Sequence, residues 1–325
     1  MTFAHQTDIT ALRRRLSADI VGQPDLLDRL VVGLLTAGHL LIEGLPGLAK
    51  TTAVKALARR VSASFQRVQF TTDLLPGDLT GSEVFNPADG SVRFVPGPLF
   101  HDIVLADEIN RAPAKVQSAL LEAMQERQIT VGGQTYPLPP LFFVLATQNP
   151  LEQAGTYPLP EAQLDRFLLH VRLSYPSADE ELRVLQMHLH ASDPARPLAG
   201  GDTQAVLDVP SVLAARQEVL QVFIAEPLQR AVVDLVRATR DPGARVGELA
   251  GTVAAGASPR AVLALAHAAR ALAYLRGRDH VRPDDLIALA PDVLRHRLVL
   301  SLDAGLRGVD ADAVIAALLA HTVWP

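Results

Sequence analysis

Short apolar runs alternate with longer helical patterns through the first half of the chain. Each run has the length and composition of a strand that is buried on both faces, as in a parallel sheet. These runs lie at residues 40–42, 103–106, 141–147 and 167–173, and a less apolar strand candidate lies at 65–70. Residues 8–36 instead repeat apolar side chains every three or four positions, which predicts two helices. The alternation predicts an α/β domain.

Two segments between these elements have the pattern of β-hairpins. Residues 82–85 and 91–95 flank a turn that contains Pro, Asp and Gly. Residues 128–131 and 134–136 flank a Gly-Gly pair, which favours a tight hairpin turn. We therefore expect two hairpins in addition to the buried strands.

The pattern changes after the last apolar run. Ser177 and Glu180 have the spacing of a capping box, and this box begins a helical pattern that runs to about residue 190. Only helical patterns follow, with no convincing strand, at about 210–220, 226–240, 258–276, 283–290 and 309–321. We therefore predict an α/β domain over residues 1–175 and an all-helical domain over residues 176–325.

Composition limits the classes of protein that fit. With 325 residues, of which 49% are hydrophobic and 20% charged, the chain is long and apolar enough for two globular domains. Its net charge of −5 argues against a protein whose main work is to neutralise a nucleic-acid backbone. The chain has no cysteine, which excludes disulfides and thiolate metal sites and fits a cytoplasmic location. No stretch reaches the ~18–20 apolar residues of a membrane span, and the N-terminus lacks the order of a signal peptide.

Residues 44–51 carry the strongest chemical signal. They read Gly-Leu-Pro-Gly-Leu-Ala-Lys-Thr between a buried strand and a helical stretch, which is the context of a phosphate-binding loop. Amides of the loop would face the phosphates, with Lys50 on the terminal phosphates and the Thr51 hydroxyl on Mg²⁺. Ala49 stands where the usual pattern has glycine, and it fits the loop if its φ is negative. The alternative is a glycine-containing turn that only joins the strand to the helix.

Polar residues follow two of the buried strands. Asp107 and Glu108 come after the run at 103–106, and Asn149 follows the run at 141–147. In open α/β sheets, ligands bind at the carboxyl ends of the strands. Since neighbouring strand residues point to opposite faces, one acid would hold Mg²⁺ while the other orients a water, and Asn149 would hold that water or a phosphate oxygen. The alternatives are a helix cap or a solvated corner for the acids and an Asn-Pro turn for Asn149.

Two arginines are candidates for contact with a γ-phosphate. Arg166 precedes the last buried strand, and it would act on the nucleotide of a neighbouring subunit as an arginine finger. Its alternative is an ion pair with Asp165 or Glu161. Arg260 lies at the start of a helix, where a positive charge is unfavourable unless it meets an anion.

Taken in order, these motifs resemble the MoxR-type AAA+ ATPases of the helix-2-insert clade. The resemblance extends from residue 21 to residue 297 and rests on residues 44–51, 104–112, 146–150, 164–167 and 256–261. It implies a three-layer α/β P-loop domain with a five-stranded parallel sheet, followed by an all-α lid domain. The two hairpins look like the helix-2 insert and the hairpin that precedes sensor 1 in that clade.

The resemblance also implies a role for each motif, with ATP or ADP and Mg²⁺ as the cofactors. The implied catalytic residues are the Walker B residue Glu108, sensor 1 Asn149, the arginine finger Arg166 and sensor 2 Arg260. The implied metal ligands are Thr51 and Asp107. The implied nucleotide-binding residues are Val21 and Gly22, which match adenine contacts, and Gly44, Leu45, Pro46, Gly47, Leu48, Ala49, Lys50, Thr51 and Thr52.

The resemblance implies an ATP-hydrolysing, chaperone-like motor that assembles into rings, usually hexamers. Members of the family work with partners that contain a von Willebrand factor A domain, and they assist the maturation of other protein complexes, including metal-cofactor insertion. From the position of Arg260 in the helical domain, we expect hydrolysis to move that domain against the α/β domain. The sequence does not identify the client protein.

Three other functions fit parts of the sequence. Related AAA+ proteins are nucleic-acid motors, but the acidic net charge and the lack of a basic patch interleaved with aromatic residues argue against that class. A nucleotide switch that binds ATP without turnover would not need Glu108 and Asn149. A magnesium-chelatase-like subunit belongs to the same clade, and only its partner would distinguish it.

Overall fold

The computed structural model describes residues 3–45, 47–88, 90–150, 155–191 and 205–325, without the side chains of residues 188, 190 and 191.

Helices occur in both halves of the described chain, and short 3₁₀ turns join several of them. The helices are α1 (Gln6–Asp19), α2 (Pro24–Thr36), α3 (Lys50–Arg60), α4 (Pro76–Thr80), α5 (Ala114–Glu126), α6 (Glu161–Leu164), α7 (Ala178–Ala191), α8 (Val209–Leu220), α9 (Glu226–Ala238), α10 (Pro259–Leu275), α11 (Pro283–Leu294), α12 (Leu302–Leu306) and α13 (Ala311–Ala320).

One sheet of five parallel strands forms the centre of the first part of the chain. Its order is β2-β5-β8-β1-β9, and each neighbouring pair is parallel. The strands of the described ranges are β1 (Leu40–Glu43), β2 (Phe65–Gln69), β3 (Gly81–Phe85), β4 (Val92–Pro96), β5 (Ile103–Asp107), β6 (Gln128–Val131), β7 (Gln134–Pro137), β8 (Phe143–Gln148), β9 (Leu169–Arg172), β10 (Val253–Ala255) and β11 (Val299–Leu300). The α/β fold that the sequence predicts is confirmed.

The inner strands are apolar up to their polar carboxyl ends because each of them enters a core on both faces of the sheet. Leu105 and Leu145 belong to the core on one face, whereas Val104 and Val144 belong to the core on the other. Both pairs are in register across β5 and β8. A strand with this arrangement has no solvent side, so its sequence shows no alternation.

Both predicted hairpins form outside the main sheet. β3 pairs with β4 and β6 pairs with β7, each in antiparallel register. Gly132 and Gly133 both have positive φ, at 59° and 80°, which a two-residue turn of this kind requires. The rings of Phe94 and Tyr136 stack at 4.1 Å between centroids, so the two hairpins contact each other.

The C-terminal part is mainly helical, but the prediction that no strand follows residue 175 is wrong. β10 and β11 form a small antiparallel pair, joined through Val253 and Leu300. These strands have three and two residues, which is too short for a periodic pattern to show. Helix α11 also continues past the predicted end at 290 to Leu294, with Pro291 inside it.

The C-terminal helices share a core with the first part of the chain. One cluster of buried residues extends from Leu12 and Leu30 in α1 and α2 to Leu272 in α10 and Leu318 in α13. A buried ion pair also joins the two parts, because the Nε of Arg29 donates to Asp292 at 2.7 Å. The boundary near residue 175 stays a prediction. In the described part of the chain, no helix has the length and hydropathy to cross a bilayer.

Candidate functional site

A cavity of about 330 Å³ lies at the carboxyl ends of the central strands. Its lining residues come from the loop after β1, the start of α3, the middle of β2, the end of β5 and the segment after β8. Its lining residues are Gly47, Ala49, Lys50, Thr51, Thr52, Arg67, Asp107, Glu108 and Asn149. Motifs that are about 100 residues apart in the sequence therefore meet where the topology of a parallel sheet predicts.

The loop before α3 reverses the chain with two residues in the left-handed conformation. Gly47 has φ 89° and Ala49 has φ 55°. The expectation of a negative φ at Ala49 is therefore wrong, and this alanine takes a conformation that glycine adopts without strain. The loop is anchored to the sheet because the amide of Gly44 donates to the carbonyl of Gln148. Pro46, which is one of the predicted contacts, lies outside the described residues.

Lys50 begins α3 and folds back over the loop. Its Nζ donates to the carbonyl oxygen of Gly44 at 2.6 Å. Burial lowers the pKa of Lys50, and the carboxylates of Asp107 and Glu108 oppose this effect. The ammonium group thus has one backbone acceptor and two nearby carboxylates, and an anion in the cavity would compensate its charge directly.

Asp107 ends β5 with both carboxylate oxygens engaged. The Thr147 hydroxyl donates to Oδ1 at 2.6 Å, and two guanidinium nitrogens of Arg67 donate to Oδ2 at 2.6 and 3.0 Å. The sequence analysis did not identify Arg67 or Thr147. Both lie on strands that flank β5, so the order of the strands was the missing information.

Glu108 lies on the same side of the sheet as Asp107. The sequence argument placed the two acids on opposite faces, but Glu108 has left the strand and has φ 58°. Its amide donates to the Thr147 hydroxyl at 2.9 Å, and its Oε2 accepts from Gln69 Nε2 at 2.6 Å. Arg111 forms an ion pair with the same carboxylate at 3.1 Å. The left-handed turn therefore brings both carboxylates into one cavity.

A second, more apolar cavity of about 530 Å³ adjoins the first and shares Gly47 and Ala49 with it. Val21 and Leu48, two of the nucleotide contacts that the resemblance implies, line it, and their contact with a nucleotide stays a prediction. The lining also includes residues that the prediction missed, namely Gln23, Tyr175, Pro176, Glu181, Val184 and Leu185. Gly22 lies against this wall, because a Cβ atom at this position would lie 3.2 Å from the Cβ of Pro176. An apolar cavity beside a phosphate loop fits a planar base.

Arg166 and Arg260 line a different cavity, of about 280 Å³, together with Met124, Gln125 and Asp165. Arg166 lies just before β9, at the amino end of this strand, whereas Tyr175 and Pro176, beyond its carboxyl end, line the second cavity. Arg260 approaches Asp165 at 3.6 Å, so this cation meets a carboxylate at the start of its helix. Within the described ranges, the Arg166 side chain has neither of its expected carboxylate partners, and Asp165 instead accepts from Arg297 Nε at 2.7 Å.

Strand β9 also contacts the segment that precedes the phosphate loop. Glu43, which is next to Gly44 in the chain, lies 2.8 Å from His170 Nε2 and 3.3 Å from Arg172 Nε. The contact with His170 lowers the pKa of Glu43 to about 2. Arg172 in turn pairs with Asp312 of α13 at 2.7 Å.

The donors in the first cavity fit Mg²⁺. Thr51 and Asp107 supply hard oxygen atoms, and a magnesium ion at a nucleotide needs only one or two protein oxygens in addition to phosphates and water. The described residues contain no cluster of three or more His, Asp and Glu side chains that would form an all-protein metal site. The site therefore suits a cation that is bound partly by the protein and partly by phosphate oxygens.

Family models match two regions of the chain. The model of the ATPase family associated with various cellular activities (AAA) matches residues 39–169, which include four of the five strands of the sheet and end at the first residue of β9. The model of the AAA lid domain matches residues 249–318.

Individual proteins match over nearly the whole chain. Chaperone MoxR1 of Mycobacterium tuberculosis is 46% identical over 94% of this chain and 79% of its own length. The uncharacterized protein YeaC of Bacillus subtilis is 42% identical over 99% of this chain and 98% of its own length. A crystal structure from Cytophaga hutchinsonii, described as that of a candidate ATPase, superimposes with a TM-score of 0.90 and 41% identity, and covers 99% of this chain and 96% of that one.

Proposed function

This chain belongs to the MoxR-type AAA+ ATPases, and from that premise we propose that it hydrolyses ATP with Mg²⁺ at a site shared between two subunits. The observation that carries the proposal is the separation of the candidate residues into two cavities. Lys50, Asp107 and Glu108 line one of them, whereas Arg166 and Arg260 line another at the opposite edge of the sheet.

In this proposal the first cavity binds the nucleotide. The loop amides and Lys50 hold the phosphates, and the adjoining apolar cavity takes the adenine. Thr51 and Asp107 hold Mg²⁺, which would neutralise charge on the phosphate oxygens when it is bound. Glu108 accepts a proton from the attacking water, and the buried amide of Asn149 positions that water.

The second cavity supplies positive charge to a neighbouring subunit. β9 has four residues and a length of about 13 Å, and it separates Arg166 from the carboxyl edge of its own sheet. Arg166 therefore has no short path to the nucleotide of its own chain. Because Arg260 lines the same cavity, we propose that both arginines act on the neighbour's γ-phosphate. The role expected from the sequence, in which Arg260 contacts a γ-phosphate from the helical domain, is kept, and the proposal assigns that phosphate to the neighbouring subunit.

Head-to-tail contact of two different edges builds a ring if the rotation between subunits closes. We propose a hexameric ring in the cytoplasm that acts as a chaperone-like motor on partner protein complexes, with a von Willebrand factor A domain protein as partner. The name of one relative, chaperone MoxR1, supports the chaperone role, and the heterologous edges support the ring.

The first test measures ATP hydrolysis as a function of protein concentration. Turnover that rises more than proportionally with concentration, and that is lost in both Glu108→Gln and Arg166→Ala, supports a shared site. Losing an arginine finger costs about 10³-fold or more in related phosphoryl-transfer enzymes. Arg237→Ala removes an exposed arginine from α9 and is the matched control, with unchanged turnover expected. Linear turnover together with an active Arg166→Ala protein would contradict the proposal.

A mixing experiment tests the shared site directly. Glu108→Gln keeps a working arginine and Arg166→Ala keeps a working carboxylate, so each variant supplies what the other lacks. In a random equal mixture, about one quarter of the interfaces combine the two intact halves. We expect the inactive variants to regain a corresponding fraction of the wild-type rate on mixing. If each site were complete within one chain, the mixture would stay inactive.

A further inference from the structure

A separate cavity of about 430 Å³ lies between α2, α8 and α10. None of its lining residues lines the cavities described above. It opens beside the C-terminal end of α2, near the segment that leads into β8, and thus at the edge of the sheet away from the phosphate loop. Leu35, Leu213 and Leu220 form apolar walls, and Arg216, His267 and Arg270 bring polar groups to the same space.

Arg216 is a buried cation without a carboxylate partner in the described structure. Only 9% of its surface is exposed. Its guanidinium donates to the carbonyl oxygens of Leu34, Pro140 and Leu141 at 2.8, 3.3 and 3.0 Å. These neutral acceptors leave the positive charge largely uncompensated, and burial together with the nearby Arg127 lowers the pKa of Arg216 to about 10.

Arg270 has still fewer partners. Its Nε is buried and has no hydrogen-bond acceptor among the described residues. The nearby Arg127 does have an acceptor, because it donates to the carbonyl of Ala37 at the C-terminal end of α2. The C-terminal end of a helix stabilises positive charge, and Arg127 and Arg216 both donate to carbonyls at the end of α2. No such contact stabilises the charge of Arg270 in the described structure. A buried guanidinium nitrogen without an acceptor is costly unless something occupies the cavity.

We propose that this cavity binds a small organic anion, with a carboxylate head on Arg270 and Arg216 and an apolar body against the leucine walls. The fork of a guanidinium matches the two oxygens of a carboxylate, and the volume lies within the ~300–1,000 Å³ typical of ligand pockets. The apolar walls distinguish this site from one for a bare inorganic anion. The bound molecule would contact α2 on one side and α8 and α10 on the other. It would thus join the sheet-bearing part of the chain to the C-terminal helices.

The test uses hexanoate as the probe and isothermal titration calorimetry of the full chain without nucleotide. Acetate carries the head group alone, and 1-hexanol carries the apolar body alone. We expect saturable one-site binding of hexanoate with a Kd of about 0.1–1 mM, from the efficiency typical of small ligands. Acetate and 1-hexanol should bind at least 10-fold more weakly. Because no ATP is present, the outcome is independent of the proposed hydrolysis.

Variants identify the site. Arg270→Met keeps an unbranched side chain without the charge and should weaken hexanoate binding at least 10-fold. Arg237→Met removes an exposed arginine of α9 and should leave the Kd unchanged. Leu220→Asp, at a half-exposed leucine of the wall, places a carboxylate of the chain beside Arg270 and should also abolish binding.

Four outcomes would overturn the proposal. Equal binding of 1-hexanol would show an apolar cavity that does not select anions. Equal binding of acetate would show that the leucine walls contribute nothing. Failure of hexanoate to bind at 10-fold above the expected Kd, or equal binding to wild type and Arg270→Met, would mean that Arg270 does not face an anion site.

Discussion

Two residues that line the first cavity, Ala49 and Glu108, are in the left-handed conformation although neither is a glycine. Ala49 precedes α3 and Glu108 follows β5, with φ of 55° and 58°. This conformation costs an L-residue about 1–2 kcal/mol. At Glu108 the turn carries the carboxylate into the cavity beside Asp107. Strained residues of this kind are common where a site must hold groups in fixed positions.

Ala49→Gly tests the strain in the loop. Glycine removes the steric cost of positive φ but loses more entropy on folding, so we expect a net stabilisation of about 0.5 kcal/mol. Ala37→Gly is the matched control, because Ala37 also has positive φ, at the end of α2 and away from the phosphate cavity. Urea unfolding of both variants measures the change. Destabilisation by Ala49→Gly alone would mean that the alanine methyl makes a contact worth more than the strain.

His39 is a buried imidazole that folding keeps neutral. Its Nδ1 accepts from the amide of Val144 at 3.0 Å, and its Nε2 lies 3.2 Å from the carbonyl of Met124, to which it donates. Burial, with a smaller effect from Arg127, lowers the pKa of His39 to about 3 from an ordinary value of 6.5. Between these values the unfolded chain binds a proton that the folded chain does not.

The stability that His39 contributes is therefore complete above pH 6.5 and falls as the pH drops towards 3. We expect a loss of about 2 kcal/mol between pH 7.5 and pH 5 from this residue. His39→Gln keeps one donor and one acceptor but cannot titrate. The unfolding free energy of this variant should therefore depend less steeply on pH, with a slope that corresponds to about one fewer proton bound on unfolding. Urea unfolding at several pH values gives both slopes. The same slope in both proteins would contradict the assignment.

At the scale of elements, strand β2 supplies two side chains that hold the carboxylates at the end of the neighbouring strand. It places Arg67 on Asp107 and Gln69 on Glu108, so both candidate catalytic carboxylates are held by one neighbouring strand. If Asp107 holds Mg²⁺, as proposed, Arg67 competes with the metal for the same oxygen. The contact is partly exposed, and a competing ion would replace it at moderate cost.

Arg67→Met should therefore lower the Mg²⁺ concentration needed for half-maximal binding of a fluorescent ATP analogue, by roughly 3–10-fold. Arg67→Lys keeps the charge and should stay close to wild type. A higher Mg²⁺ requirement in Arg67→Met would instead show that Arg67 holds Asp107 in the position that the metal needs.

The sequence was informative where burial or a special turn constrained it. The runs at β1, β5 and β8 were predictable because both faces of these strands are buried, and the loop at 44–51 because its chemistry is local. β10 and β11 were not predictable, because strands of three and two residues are too short to show a periodic pattern. Arg67 was missed for a different reason. A sequence shows which residues are on a strand but not which strand lies beside it.

At the scale of the molecule, charged links reinforce the core that the two parts of the chain share. Arg29 and Asp292 join α2 to α11, and Arg297 holds Asp165 from the C-terminal side. The Asp292 carboxylate also accepts from Arg295 at 2.6 Å. Because these groups are mostly buried, removing one charge leaves others without compensation.

Asp292→Asn should destabilise the whole protein by about 3 kcal/mol, since the buried Arg29 would then have only the exposed carboxylate of Asp25, 3.8 Å away, as a counter-charge. Asp303→Asn breaks an exposed pair with Arg307 and should cost less than about 0.5 kcal/mol. Urea unfolding followed by circular dichroism and by the fluorescence of Trp324, the one tryptophan of the chain, measures both. Coincident transitions would show that the two parts unfold together. Separate transitions would contradict the claim that the shared core makes the two parts one cooperative unit.

In the proposed ring, β9 would connect the nucleotide sites of two neighbouring subunits. Arg166, just before this strand, would sense the nucleotide of a neighbour, and Arg172, at the other end, contacts Glu43 next to the chain's own phosphate loop. Each subunit would thus pass the state of the neighbour's nucleotide to its own. In the proposed head-to-tail ring, every subunit would receive this contact from the same side, so the ring would have a direction of rotation. Hydrolysis would then follow a fixed order around the ring instead of occurring at random.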